Sequence, residues 1–307
     1  MFVTLTLNPA IDETLTVKAP LIIGSICTVT EEIRTPGGKG VNVAKMIAAN
    51  GKSVTAGGLL GQSDCPFYER ALTSAGITCR FLTVPFATRI NTMLTDGAGH
   101  ELKLNKPGFP ELDFDEAALL HYAASLTGTG TVVVMSGSLP ARFPTDTYAR
   151  LIRLFRKIGC TTVLDTSGPA LTVGLAEKPD VIKPNRHELE SVLNRQLKSE
   201  QAVKEVLRDL MTRHEAIIMS DGPAGAWFAS RGTILFATAP EVTLVDTTGA
   251  GDTLLGQFCA DYFPDRVLTS EIAARAVAAG SAAVEQRGTP IIGIDRMRAL
   301  AATVKVR

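Results

Sequence analysis

The chain has 307 residues, with 31 Lys+Arg against 31 Asp+Glu and 45% hydrophobic residues, so it can bury a sizeable core and is not disordered as a whole. A formal net charge of zero excludes the protein-wide basic field that nucleic acid or an anionic membrane requires, leaving only local patches. One large domain, or one with a small accessory, is expected at this length.

Residues 2–7 alternate like a strand and show neither the basic region nor the cleavage site of a signal sequence, so a cytoplasmic protein is expected. A helix over about 41–49, a strand over 53–59, a helix near 67–75 and a strand over 77–84 follow. Residues 117–141 form the longest uncharged stretch, but Thr127, Gly128, Thr129, Gly130, Ser136, Gly137, Ser138 and Pro140 interrupt it. It reads as helix, turn, buried strand and loop rather than a membrane span. Strands over 131–135, 161–164, 181–182 and 216–219 then alternate with helices near 145–158 and 200–212. That alternation predicts an α/β fold with a mainly parallel sheet covered on both faces.

Two stretches lack helices. Residues 12–33 hold extended runs around a turn at 20–24, and residues 89–104 hold two more around Asp96, Gly97, Ala98 and Gly99. Together they predict a small antiparallel sheet, drawn from about 12–34 and 88–105, that projects as a lid from a single domain over 1–307. Its exposed edge invites pairing into a homodimer. The five cysteines are scattered without C-x-x-C spacing and are expected to be reduced.

Four motifs bear on chemistry. In Asp246-Thr247-Thr248-Gly249-Ala250-Gly251-Asp252 an apolar helical pattern follows three small residues, leaving amides free at a helix N-terminus to hold an anion. Asp252 would then stand beside that anion as a base, the combination phosphoryl transfer needs; the same Asp would equally serve as a helix cap. Gly37-Gly38-Lys39-Gly40-Val41-Asn42 lacks Walker spacing and reads either as close backbone approach to a polyhydroxylated ligand or as a plain turn before a helix. Asn185 and Glu188, three apart after the strand at 181–182, suit Mg²⁺ or a capping box. Ser220-Asp221-Gly222 with Gly225 offers amides to nucleotide phosphates or forms a simple hairpin turn. No His/Cys cluster has metal-finger spacing, and a dinucleotide-binding G-x-G-x-x-G is absent where Asn8-Pro9-Ala10 follows the first strand.

Taken in order, Thr6-Leu7-Asn8-Pro9-Ala10-Ile11-Asp12, Gly37 to Ala44, Thr88-Arg89-Ile90-Asn91, Ser136-Gly137-Ser138-Leu139-Pro140, Asp165-Thr166-Ser167-Gly168, Lys183-Pro184-Asn185 with Glu188, and Gly249-Ala250-Gly251-Asp252 resemble the ribokinase-like PfkB carbohydrate kinase family over nearly the whole chain. Within it they are similar to the phosphosugar branch of 1-phosphofructokinases and tagatose-6-phosphate kinases, and Thr88 to Asn91 favours the former. The resemblance implies a Rossmann-type three-layer core with a β-lid. It also implies ATP-dependent phosphorylation of a sugar phosphate, fructose 1-phosphate giving fructose 1,6-bisphosphate, with tagatose-6-phosphate kinase or 6-phosphofructokinase as alternatives.

By similarity Asp252 is the base, and Gly249, Ala250 and Gly251 form the anion hole. Asp12, Gly38, Lys39 and Asn42 would hold the sugar, and Arg89, Lys103 and Ser138 its phosphate. Lys183 and Asn185 would address the ATP phosphates, with Ser220, Gly222 and Gly225 bordering the nucleotide. Glu188 and Asn185 would serve Mg²⁺, and Asp246 and Thr248 a monovalent cation such as K⁺. Lys106 and Asp221 depart from the family's usual residues. A catalytically silent sugar-phosphate sensor on the same fold is the non-enzyme alternative, and it would have no need of Asp252 or Glu188.

Overall fold

The computed structural model describes residues 1–18, 20–98, 100–109 and 111–307; Gly99, the end of the expected 96–99 turn, lies outside them. The chain begins with β1 (Phe2–Thr6), β2 (Ala10–Val17), β3 (Val29–Gly37), α1 (Lys39–Ala49), β4 (Val54–Gly61), α2 (Cys65–Thr73), β5 (Thr78–Val84), β6 (Arg89–Asp96) and β7 (Glu101–Asn105). It continues through α3 (Glu116–Ser125), β8 (Val132–Ser136), α4 (Thr147–Ile158), β9 (Thr161–Asp165), α5 (Gly168–Ala176), β10 (Val181–Ile182), α6 (Arg186–Leu193) and α7 (Glu200–Leu210). The last part is β11 (Ala216–Ser220), β12 (Gly225–Ser230), β13 (Thr233–Thr238), α8 (Ala250–Tyr262), α9 (Ser270–Ala283) and α10 (Ile294–Ala301).

Nine strands form the main sheet in the order β13-β12-β11-β10-β9-β8-β1-β4-β5. All pairs from β11 to β5 are parallel, and β12 and β13 add an antiparallel edge. Alternation along β8 explains the layers. Val132 and Val134 join the core made with α1, α8 and α9, while Val133 and Met135 join the one made with α3 and α4. In α4 the buried Tyr148, Leu151, Ile152 and Phe155 recur at helical spacing, and Arg153 and Arg156 stay outside.

The second sheet runs β3-β2-β6-β7. The expected antiparallel sheet is corrected here to a mixed one, because β2 and β6 pair in parallel from Ala10 with Arg89 to Val17 with Asp96. Each half, β2 with β3 and β6 with β7, is an antiparallel hairpin. The two halves are joined by the long crossover α1-β4-α2-β5 through the main body, the kind of connection that lets neighbours run parallel. Buried Tyr68 pins the root of this sheet, its hydroxyl lying 2.6 Å from Ala10 O and 3.1 Å from Gly37 O.

All five cysteines are free, and no helix among the described residues is long and apolar enough to cross a membrane.

Candidate active site

From β1 the chain builds outward to β4 and β5, then returns to place β8 on the other side of β1. The carboxyl ends of β1 and β8 therefore flank the switch point where open α/β sheets bind ligands. Asn8 follows β1, Ser136 ends β8 with Ser138 just beyond it, Asp165 ends β9, Lys183 follows β10, and the N-termini of α1 and α8 carry Lys39 and Asp252.

Gly249 takes the left-handed conformation at φ 77° and caps α8, which begins at Ala250. Asp252 makes no capping bond; its Oδ2 accepts from Asn42 Nδ2 at 3.0 Å, so the helix-cap alternative is not what the fold builds. The first-turn amides of α8, including those of Gly251 and Asp252, are the ones a helix leaves without intrahelical partners. A Cβ on Gly251 would lie 3.4 Å from Lys183 Nζ, which puts an ammonium beside those amides. Burial pushes the Asp252 carboxyl above the usual carboxylate range, and Asp165 adds to this while Lys39, Asn42 and Lys183 oppose it.

Asp165, absent from the expected site residues, is the hub of the charges. It is fully buried, with Lys183 Nζ at 3.1 Å and Lys39 Nζ at 3.3 Å from Oδ1, and Ser136 Oγ at 2.9 Å from Oδ2. Burial alone would raise its pKa, but the two lysines outweigh that and hold it down. In return Asp165, with smaller contributions from Asp252 and Glu188, raises the pKa of the Lys39 ammonium against the effect of burial.

Around Asp12 and Thr6 the glycines are needed for close approach of the backbone. A Cβ would stand 2.1 Å from Asp12 Oδ2 at Gly37, 2.8 Å from Thr6 Cγ2 at Gly38 and 2.5 Å from Thr6 Oγ1 at Gly40. Asp12 accepts from Asn91 Nδ2 and Thr289 Oγ1, each at 3.2 Å, and burial raises its pKa. Arg89 turns inward: its three nitrogens donate to the backbone carbonyls of Pro9, Lys106 and Asn8 at 3.0–3.2 Å. Asn8 Nδ2 bonds Pro107 O at 3.1 Å and Ser138 Oγ at 3.0 Å, tying the strap after β7 to the end of β8.

Lys103 reaches Asp246 Oδ1 at 2.8 Å instead of open cleft. Asp246 also accepts from Thr248 N, Thr248 Oγ1 and Gly288 N, so the expected monovalent-cation residues already hold an ammonium.

On the opposite side of the cleft, Asn185 and Glu188 form a capping box at α6, Glu188 N donating to Asn185 Oδ1 and Asn185 N to Glu188 Oε2, both at 2.8 Å. Glu188 Oε1 makes no hydrogen bond among the described residues. Ser220 pairs with Asn185 across a parallel bridge, bringing β11 to the same place. Gly222 opens the short turn between β11 and β12, so the hairpin reading holds for the backbone, and a Cβ on Gly225 would meet Ala237 O at 2.0 Å. Asp221 is taken up by a two-point ion pair with Arg186, which explains its charge at this turn. No cluster of three or more His, Cys, Asp or Glu suited to a metal occurs among the described residues.

The chain is similar to known proteins over nearly their whole lengths. The chain is 34% identical to 1-phosphofructokinase of Rhodobacter capsulatus, covering 99% of this chain and 96% of that one. It is 31% identical to 1-phosphofructokinase of Vibrio cholerae, covering 99% and 96%. The structure of phosphofructokinase-2 from Escherichia coli in complex with substrates and products superimposes with a TM-score of 0.90 at 27% identity, covering 98% of each chain. The pattern of the pfkB family carbohydrate kinases matches residues 6–294, and the chain belongs to that family.

Proposed function

We propose that this kinase transfers the terminal phosphoryl group of ATP to the 6-hydroxyl of fructose 1-phosphate. The observation that carries the reading is Asp252, a buried carboxylate at the N-terminus of α8 beside Asn42, Lys183 and free amides. Asp12 and Asn42 hold the sugar and direct the hydroxyl at Asp252, which takes its proton. The new O–P bond forms in line as the bond to the ADP oxygen breaks. The amides of Gly249 and Gly251 at the start of α8, with Lys183 and Lys39, meet the charge that spreads over the moving group, whereas the Ala250 amide donates to Thr247 O at 3.4 Å. Ser220, Gly222 and Gly225 border the nucleotide.

The free Oε1 of Glu188 and the side chain of Asn185 make a hard-oxygen donor set suited to Mg²⁺, which keeps several waters and would neutralise the ATP phosphates. K⁺ has a weaker claim at Asp246 and Thr248, where Lys103 already supplies the positive charge. The phosphate already on the sugar falls to Ser138, the remaining N–H groups of Arg89 and the exposed Lys106. The Lys106 side chain has no partner among the described residues.

The relatives named 1-phosphofructokinase support fructose 1-phosphate as the acceptor. A coupled assay across fructose 1-phosphate, tagatose 6-phosphate, fructose 6-phosphate and fructose tests this. The highest kcat/KM is expected on fructose 1-phosphate; a higher value on another sugar reassigns the substrate, and tight binding without ADP release on any of them points to a sensor.

The second sheet is read as a lid and as the seat of a homodimer. Val29 and Ile33 on β3, Leu102 and Leu104 on β7, and Ile22, Ile23 and Ile26 between β2 and β3 are exposed apolar side chains that a second copy would cover. Sedimentation is expected to give twice the 32.6 kDa chain mass, and a monomer at assay concentration removes the dimer reading.

A further inference from the structure

Lys45 lies one turn after Asn42 in α1, only 6% exposed, in a helix whose other buried residues, Asn42 apart, are small or apolar. An ammonium out of water is costly unless its donors are met, and no carboxylate among the described residues pairs with it. Instead Nζ lies 2.7 Å from Pro36 O, 2.7 Å from Thr289 O, 3.3 Å from Thr289 Oγ1 and 3.4 Å from Asn42 Oδ1. These acceptors belong to three segments: the end of β3 at the root of the second sheet, the loop between α9 and α10, and α1 itself.

What matters is polarity. A carboxamide has a donating and an accepting end of nearly the same shape, and a lysine only donates. With Lys45 on Asn42 Oδ1, the amide must present Nδ2 to Asp252 Oδ2, as it does at 3.0 Å. A threonine hydroxyl has one proton. With Lys45 on a lone pair of Thr289 Oγ1, that proton can point at Asp12 Oδ2, 3.2 Å away and charged, in preference to the neutral Thr35 Oγ1 at 3.4 Å, which can donate to Thr289 instead. Carboxylates only accept, so both bonds run toward them in any case; the one cation holds the Asn42 oxygen and the Thr289 hydroxyl in the orientations from which those bonds reach the two carboxylates read as holding and deprotonating the sugar.

We propose that Lys45 is a positioning residue for phosphoryl transfer, orienting Asn42 toward Asp252 and Thr289 toward Asp12; this rests on the roles given above to those two aspartates. Burial pushes the ammonium down to about 8, and Asp12 on β2 and Asp252 on α8, the charged groups that face it, act in the opposite sense. The side chain is therefore held in a place unfavourable to its charge, as a residue kept for its donors would be.

Lys45→Met keeps the length and removes the donors. It is expected to lower kcat/KM for fructose 1-phosphate by about 10- to 100-fold, the scale of a small misplacement, with KM for ATP within about twofold of wild type. On an Asn42→Ala, Thr289→Val background the same change should cost less than about threefold, because the groups it orients are gone. An equal loss on both backgrounds, or a loss carried by ATP alone, overturns the proposal. Should Lys45→Met not fold, Thr289→Val alone is expected to raise KM for the sugar phosphate with KM for ATP unchanged, and an unchanged sugar KM overturns it equally. Wild-type enzyme with no turnover on any phosphosugar overturns the functional reading and this inference with it, whereas an active wild type with an unaffected Lys45→Met overturns this inference alone.

Discussion

Asp252→Asn is expected to lower kcat by about 10²–10⁴-fold, the usual worth of a positioned base, while the fold persists. The replacement keeps the size of the side chain and an oxygen that can accept the bond from Asn42 Nδ2. Stability should not fall. Because burial raises the folded pKa of Asp252, folding disfavours its ionised form at neutral pH, and asparagine removes that cost. The same shift fixes the sign of the pH dependence. The base must be ionised to work, so activity declines as pH falls through its folded pKa, and this acid limb lies above the ordinary carboxylate range. A variant within tenfold of wild type, or one that keeps the limb, places the base elsewhere.

Asp165→Asn is expected to cost about 3–5 kcal/mol of folding stability, as removal of one partner from a buried ionic cluster does, along with most of the activity. Lys183, with 5% of its side chain exposed, carries most of this loss; Lys39, at 41%, keeps water as an alternative partner. The pH dependence again has a definite sign. A folded pKa below the unfolded value makes the Asp165 contribution fully present above the unfolded pKa, and it is lost as pH falls through the folded one. Denaturant midpoints of wild type and variant should therefore stand apart at neutral pH and converge in acid. Coincident midpoints at neutral pH would show that the two lysines do not depend on Asp165.

The layered α/β body was legible because strand and helix periods alternate plainly, and because a run such as Val132 to Met135 needs cover on both faces. Strand direction in the second sheet was not. A two-residue period marks a strand but not which way its neighbour runs, and the parallel pairing of β2 with β6 depends on a crossover that reaches through the main sheet. In the site, Asp252 stood out because small residues and an apolar helix frame it. Arg89 and Lys103 entered through the family resemblance, but their partners, backbone carbonyls and Asp246, come from distant segments that only the folded chain brings near. Nothing in the sequence singles out Lys45; its partner Thr289 lies in a loop 244 residues further along the chain. Asp165 was quoted for its resemblance alone, since an acid at a strand end shows nothing of the two lysines that converge on it.

The most direct test is product analysis by phosphorus NMR after incubation with ATP, Mg²⁺ and either fructose 1-phosphate or fructose. The expected result is one new phosphomonoester on C6 of fructose 1-phosphate for each ADP formed, with far slower reaction of fructose. ADP released without a bisphosphate, or fructose phosphorylated as efficiently as its phosphate, would contradict a phosphosugar kinase built around Asp252.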